Sequence, residues 1–183
     1  MANKGKLFEQ QFKKSVDKTG YLFERFPDSN KFGQGGSSQI RFTLNSPCDC
    51  FIFDGDYLYY VELKHTDNTG MSFNQPPYEK TKQTVMIKPH QVQSLLDRSK
   101  YPNVICGLVL DFADRETKTQ HIEGGTYFID IETFVGWATT IGKKSINQED
   151  AAMIGIKVDR KLKKVNYEYD IKKMLGDIVQ KVV

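Results

Sequence analysis

At 183 residues the chain suits one domain, residues 1–183, long enough to bury a sizeable core, and 39% hydrophobic with 12% aromatic residues excludes a disordered polymer. No apolar run reaches the roughly 18 residues of a membrane span, and the first six residues lack the apolar stretch of a signal peptide, so a cytoplasmic protein without membrane contact is expected. Three cysteines and a formal charge of +3 point to a reduced protein of mildly basic character, whose lysines and arginines cluster at Lys143-Lys144, Arg160-Lys161, Lys163-Lys164 and Lys172-Lys173.

Residues 4 to 19 read as an amphipathic helix, with Phe8, Phe12 and Val16 recurring every four positions and Glu9 bordering that apolar face. Gly20 stops it. Residues 21 to 26 read as a strand. From about 27 to 47 the chain is polar and carries Gly33, Gly35 and Gly36 with few apolar anchors, which predicts a mobile loop with Lys31 and Arg41 as positive charges near its ends. Residues 48 to 64 predict a hairpin: two apolar runs flank Asp54-Gly55, a strong short-range turn signal. A polar segment, 65 to 87, precedes a helix from Pro89 to about Arg98 with Val92, Leu95 and Leu96 as its buried stripe. Val104 to Leu110 is almost wholly apolar and suits a strand covered on both faces. Tyr127 to Ile131 reads as another strand, Phe134 to Thr140 as a short helix, Lys157 to Tyr169 as a hairpin and Ile171 to Val183 as a terminal helix. The helix between the Glu62 strand and the Val104 strand is a crossover, so those strands are expected to be parallel neighbours. The order predicts an α/β fold with a mixed central β-sheet flanked by helices.

The hairpin also carries the chemistry. In a strand, residues two apart share a face, so Glu62 and Lys64 point one way and Leu63 the other. The turn brings Glu62 back beside Asp49. Two carboxylates that close repel unless a cation lies between them, and hard oxygen donors suit Mg²⁺, with Mn²⁺ as a substitute. A lysine beside such an ion can orient a water or steady a developing oxyanion. These are parts for cutting a phosphodiester. His90-Gln91 opens the crossover helix, whose first turn is expected near Lys64.

Other chemistries lack their signatures. No H-x-x-x-H or C-x-x-C pair supports zinc, and Cys48 and Cys50 are expected to flank Asp49 on the opposite face. No G-x-G-x-x-G follows a strand, no Gly-Lys-Ser/Thr closes the glycine-rich segment, and no serine or cysteine hydrolase elbow is present.

Asp49, the Glu62-Leu63-Lys64 triplet on the second hairpin strand and Glu9 on the preceding helix together resemble the PD-(D/E)xK nuclease superfamily, with Pro47-Cys48-Asp49 as its "PD" element carrying one inserted residue. Further elements resemble the Holliday junction resolvases of the RecU family: Met71-Ser72-Phe73 after the triplet, Lys88-Pro89-His90-Gln91 opening a helix, the apolar strand Val104 to Leu110, and Gly142-Lys143-Lys144-Ser145-Ile146. The ordered likeness runs from Lys4 to about Ile156. It implies a restriction-endonuclease-like fold and a Mg²⁺-dependent endonuclease of a phage-type or divergent kind, acting on four-way DNA junctions as a homodimer, with a recombinase as a further partner. By this resemblance Asp49, Glu62 and the Leu63 carbonyl bind the metal, and Glu9 completes its surroundings. Lys64 activates the attacking water and Gln91 orients Lys64 or the phosphate. The departure is the 27–47 region, short and glycine-rich where RecU enzymes carry a long stalk. Lys31, Arg41, Lys143 and Lys144 are the expected DNA-backbone contacts. A restriction or repair nuclease of the same superfamily, and a non-catalytic DNA-structure-binding protein, are the alternatives.

Overall fold

The computed structural model describes residues 3–27, 46–81, 83–117 and 119–182. In chain order the elements are α1 (Lys4–Asp17), β1 (Leu22–Arg25), β2 (Cys50–Phe53), β3 (Leu58–Thr66), β4 (Gly70–Ser72), α2 (Pro89–Ser99), β5 (Val104–Phe112), β6 (Arg115–Glu116), β7 (His121–Ile122) and β8 (Gly125–Asp130). There follow α3 (Ile131–Ile141), β9 (Ser145–Asn147), α4 (Gln148–Ile154), β10 (Ile156–Lys157), β11 (Arg160–Lys163), β12 (Asn166–Tyr169) and α5 (Ile171–Val182).

Six strands form one sheet in the order β1-β2-β3-β5-β8-β10. The α2 crossover makes β3 and β5 parallel neighbours, from Leu58 opposite Val104 to Thr66 opposite Phe112, and every other pairing in this sheet is antiparallel. Alternation divides the core by face. Tyr59, Val61 and Leu63 point toward α1 and α5, where Phe8, Phe12, Val16, Met174 and Ile178 are buried. Leu108, Leu110 and Ile129 point toward α2 and α3, packed with Val92, Leu95, Phe134 and Trp137. Helices therefore cover both faces of a mixed sheet, which is the expected fold class. Among the described residues, no helix is long and apolar enough to cross a membrane.

Local chemistry accounts for the boundaries. The Asn3 side chain accepts the Lys6 N–H at the start of α1, and Gly20 adopts φ +83° just beyond its end. The hairpin turns through four residues rather than two. Asp54 Oδ1 accepts the amides of Asp56 and Tyr57 at 2.9 and 2.8 Å, and Gly55 takes φ +113°. β3 extends to Thr66, beyond the expected 64, because β5 continues alongside it.

Two expectations are revised. α3 begins at Ile131, three residues before Phe134, because Asp130 Oδ1 caps the amides of Glu132 and Thr133 at 3.0 Å each. The 157–169 segment is not one hairpin. Lys157 pairs with Tyr127 at the sheet edge, and only β11 and β12 form the ribbon. The short pair β4·β9 and the helix α4, capped by Asn147, carry no apolar period long enough to be read locally. The expected glycine-rich loop, with Lys31 and Arg41, lies almost wholly outside the described residues. Its flanks are joined, since Phe26 N–H donates to the Asp49 carbonyl at 2.9 Å.

Candidate active site

β2 ends the hairpin ladder at Cys50 opposite Val61, so one residue further out Asp49 stands against Glu62 while β3 runs on, without a strand partner on that edge among the described residues. The Leu63 N–H fills the gap by donating to Asp49 Oδ2 at 2.8 Å. A residue's N–H and C=O leave a strand on the same side, so the Leu63 carbonyl faces this opening too. The Leu63 side chain is buried on the α1 face.

Glu62 and Lys64 leave the opposite face together. Glu62 is fully buried. Its Oε1 takes the Lys64 ammonium at 2.7 Å and the Gln91 side-chain N–H as well. The Gln91 amide cannot easily turn over, because its own Oε1 accepts the Lys88 N–H at 3.1 Å in the first turn of α2. Among the described residues no hydrogen-bond donor meets Glu62 Oε2, which is also buried. Burial pushes the Glu62 carboxyl up to about 8, further than the Lys64 ammonium draws it down, and the Asp49 carboxylate adds to the rise. The β3 alternation, the end of the hairpin ladder and the first turn of α2 thus bring together four of the sequence-predicted residues, Asp49, Glu62, Lys64 and Gln91.

Glu9 is placed differently. Arg25 on the edge strand reaches its Oε2 at 2.8 Å. Glu9 nevertheless lines a cleft of about 270 Å³ together with Lys6, Arg25, Asp49 and Leu63. Among the described residues, no three His, Cys, Asp or Glu side chains stand together at coordinating distance. A divalent ion still fits the donors present. Asp49, the Leu63 carbonyl and the unmatched Glu62 Oε2 offer hard oxygens, and a cation there would relieve the repulsion between two carboxylates.

The basic pair is unequal. Lys143 reaches Asp150 Oδ1 at 2.7 Å and lies 5.9 Å over the Trp137 ring, whereas Lys144 is exposed. The cysteines depart from expectation. Cys48 belongs to the α2 side of the core and Cys50 to the α1 side, since residues 47–49 bend before the strand begins and break the alternation. Cys48 Sγ donates to the Cys50 carbonyl at 3.1 Å. Burial raises both thiols, so neither is suited to bind metal as a thiolate.

A second charged cluster escaped the sequence reading. His65 Nδ1 lies 2.6 Å from Asp111 Oδ2, and Asp111 Oδ1 accepts from Arg160 at 2.7 Å and from Thr126 at 2.5 Å. Arg160 also stacks on Tyr167, 4.3 Å from the ring centroid. Its members come from four strands far apart in the chain. The one local signal was Asp111 at the end of an otherwise apolar strand.

No family model matches the chain. The SPbeta prophage-derived uncharacterized protein YotM of Bacillus subtilis (strain 168) is 30% identical over 192 residues, an alignment that covers 98% of this chain and 88% of that protein. Among solved structures, Archaeoglobus fulgidus Hjc, a Holliday junction resolvase from an archaeal hyperthermophile, aligns with a TM-score of 0.47 at 14% identity, over 84% of this chain and 95% of that one.

Proposed function

The chain belongs to one family with the SPbeta prophage-derived protein YotM, and from the geometry around Glu62 we propose that it is a Mg²⁺-dependent endonuclease that cuts phosphodiester bonds in branched DNA. The observation that carries this reading is the buried Glu62 carboxylate. It lies beside Asp49 with one oxygen shared by Lys64 and Gln91 and the other unmatched.

Asp49, Glu62 and the Leu63 carbonyl would hold the ion, with Glu9 joining if it leaves Arg25. Bound there, Mg²⁺, or Mn²⁺ in its place, would polarise a phosphoryl oxygen and lower the pKa of a water. The residues of the chain do the rest. Lys64 directs a water at phosphorus and offsets the charge gathering on the phosphoryl oxygens as the new P–O bond forms and the bond to the leaving sugar oxygen breaks. Gln91 holds Glu62 and, through it, Lys64 in place. Leu63, buried in the core, anchors the backbone that presents its carbonyl.

The finer reading is resolution of four-way junctions by paired symmetric nicks, made by a homodimer with one site per strand. Lys144, with Lys31 and Arg41, would hold the DNA backbone, and Lys143 would do so on releasing Asp150. A synthetic four-way junction and a linear duplex of matched sequence, each incubated with and without Mg²⁺, test it. Nicking of the junction alone, only with Mg²⁺, is the expected result. Equal cutting of linear duplex would favour a restriction or repair nuclease. Binding with no cutting in any divalent metal would leave a DNA-structure-binding protein.

A further inference from the structure

The connection from β4 to α2 is long and polar, yet it is tied down. The buried Asn74 side chain donates to the Glu79 carbonyl at 2.8 Å and accepts from Thr81 Oγ1 at 3.0 Å. Gln75 Nε2 donates to the Ala138 carbonyl at 2.6 Å, and the amides of Met86 and Ile87 return to the Ser72 carbonyl at 3.1 and 3.0 Å. Between this connection and the first turn of α2 lies a cleft of about 540 Å³, bordered by Lys80, Thr81, Thr84, Lys88 and His90.

The charge in this cleft is of one sign. No carboxylate-bearing residue is among its lining. Among the described residues, none of Lys80, Lys88 and His90 pairs with an acid, whereas Lys13, Lys100 and Lys173 pair with Asp17, Asp97 and Asp177. His90 is depressed below its ordinary value by partial burial and then by Lys88, Lys64 and Lys80. Unrelieved convergence of cations costs stability, and an anion relieves it.

We propose that this cleft binds a backbone phosphate of the DNA strand beside the one to be cut, through Lys80, Lys88 and His90. The inference rests on the nuclease reading above. The Gln91 side chain then links two subsites. It touches Glu62 in one direction and is fixed by the Lys88 amide in the other, so the helix turn that carries the phosphate contacts also sets the carboxylate. Thr84 supplies a hydroxyl at the rim.

The test compares wild type with Lys80→Ala/Lys88→Ala, using a fluorescein-labelled duplex in EDTA so that nothing is cut. The slope of log affinity against log salt is expected to fall by about 0.9, the value for one lost phosphate contact. Lys88→Gln alone, which leaves the helix start intact, is expected to lose about half of that. In parallel, the His90 ring proton is titrated by NMR, assigned with His90→Gln. Its pKa is expected to lie below 6.5 in the free protein and to rise when the duplex is bound. An unchanged slope, or a His90 that responds to inorganic phosphate but not to duplex, overturns the proposal. A wild type that nicks DNA in Mg²⁺ while both readouts stay flat overturns this subsite alone. A wild type that never nicks while both readouts respond overturns the nuclease reading and keeps only a DNA-backbone contact.

Discussion

Glu62 and His65 leave β3 on opposite faces, and each enters a buried cluster of charge. On the α1 face, both Asp111 oxygens are met, one by His65 and the other by Arg160 and Thr126. On the α2 face, Glu62 has two donors on one oxygen and none on the other, with a second carboxylate alongside. Burying charge is costly in both places. In the first the protein compensates the carboxylate from its own side chains and ties β3, β5, β8 and β11 together, while His65 Nε2 meets only Asp67, at 3.6 Å, among the described residues. In the second the compensation is incomplete, and a cation from outside would finish it. The contrast between the two clusters lies not in burial but in an acceptor that meets no donor beside a like charge, which only Glu62 shows of the two.

The sharpest way to break this contrast is Glu62→Gln, which is expected to abolish Mg²⁺-dependent nicking while DNA binding, measured by anisotropy, persists. Nicking near the wild-type rate would remove Glu62 from the chemistry. Asp111→Ala is expected to do the reverse. It leaves His65 Nδ1 without its acceptor and Arg160 with the longer Asp114 contact at 3.4 Å, and a buried pair broken on one side costs about 3–5 kcal/mol, read as a lower urea midpoint. Cleavage per folded molecule is expected to be little changed. Lys64→Ala comes next, with a rate loss of roughly 10²-fold, the size of one lost transition-state contact; a collapse in stability instead would make Lys64 a structural ion-pair partner.

The smallest effect is one of pH. The folded Glu62 carboxyl sits at about 8 against an ordinary 4.5. A raised acid favours the fold at low pH, and that contribution is lost as pH climbs through the folded value. Thermal melts in EDTA are therefore expected to fall between about pH 5.5 and 8.5 more steeply for wild type than for Glu62→Gln. Added Mg²⁺, binding the ionised form, is expected to raise the melting temperature more at the upper pH than at the lower. A Mg²⁺ effect independent of pH would mean that the ion binds elsewhere.

The candidate site was legible because its grammar is local. Alternation put Glu62 and Lys64 on one face, the Asp54-Gly55 turn returned the strand to Asp49, and Pro89 marked the helix that delivers Gln91. What stayed hidden depends on partners remote in the chain. Nothing near Glu9 announces that Arg25 on the edge strand will reach it. Nothing near Lys143 shows that Asp150 will both cap α4 and take its charge. The Cys48 side chain followed a bend rather than the strand period. His65, Asp111, Thr126 and Arg160 meet only once four strands are assembled. The Lys80, Lys88 and His90 cleft was invisible for the same reason, since its wall is a connection with no period at all.

The parallel pairing of β3 and β5 has a consequence for the order of events during synthesis. Asp49, Glu62 and Lys64 leave the ribosome together and can form their hairpin at once, in microseconds. The partner of Glu62 across the sheet is Leu108, and everything from Thr66 to Val104 must be looped out before that contact closes. Until α2 lies down, Glu62 remains in water as an ordinary carboxylate. The nascent chain therefore carries its acidic residues early and acquires their unusual chemistry late, so a truncated product ending before β5 is expected to hold the motif intact and do nothing with it.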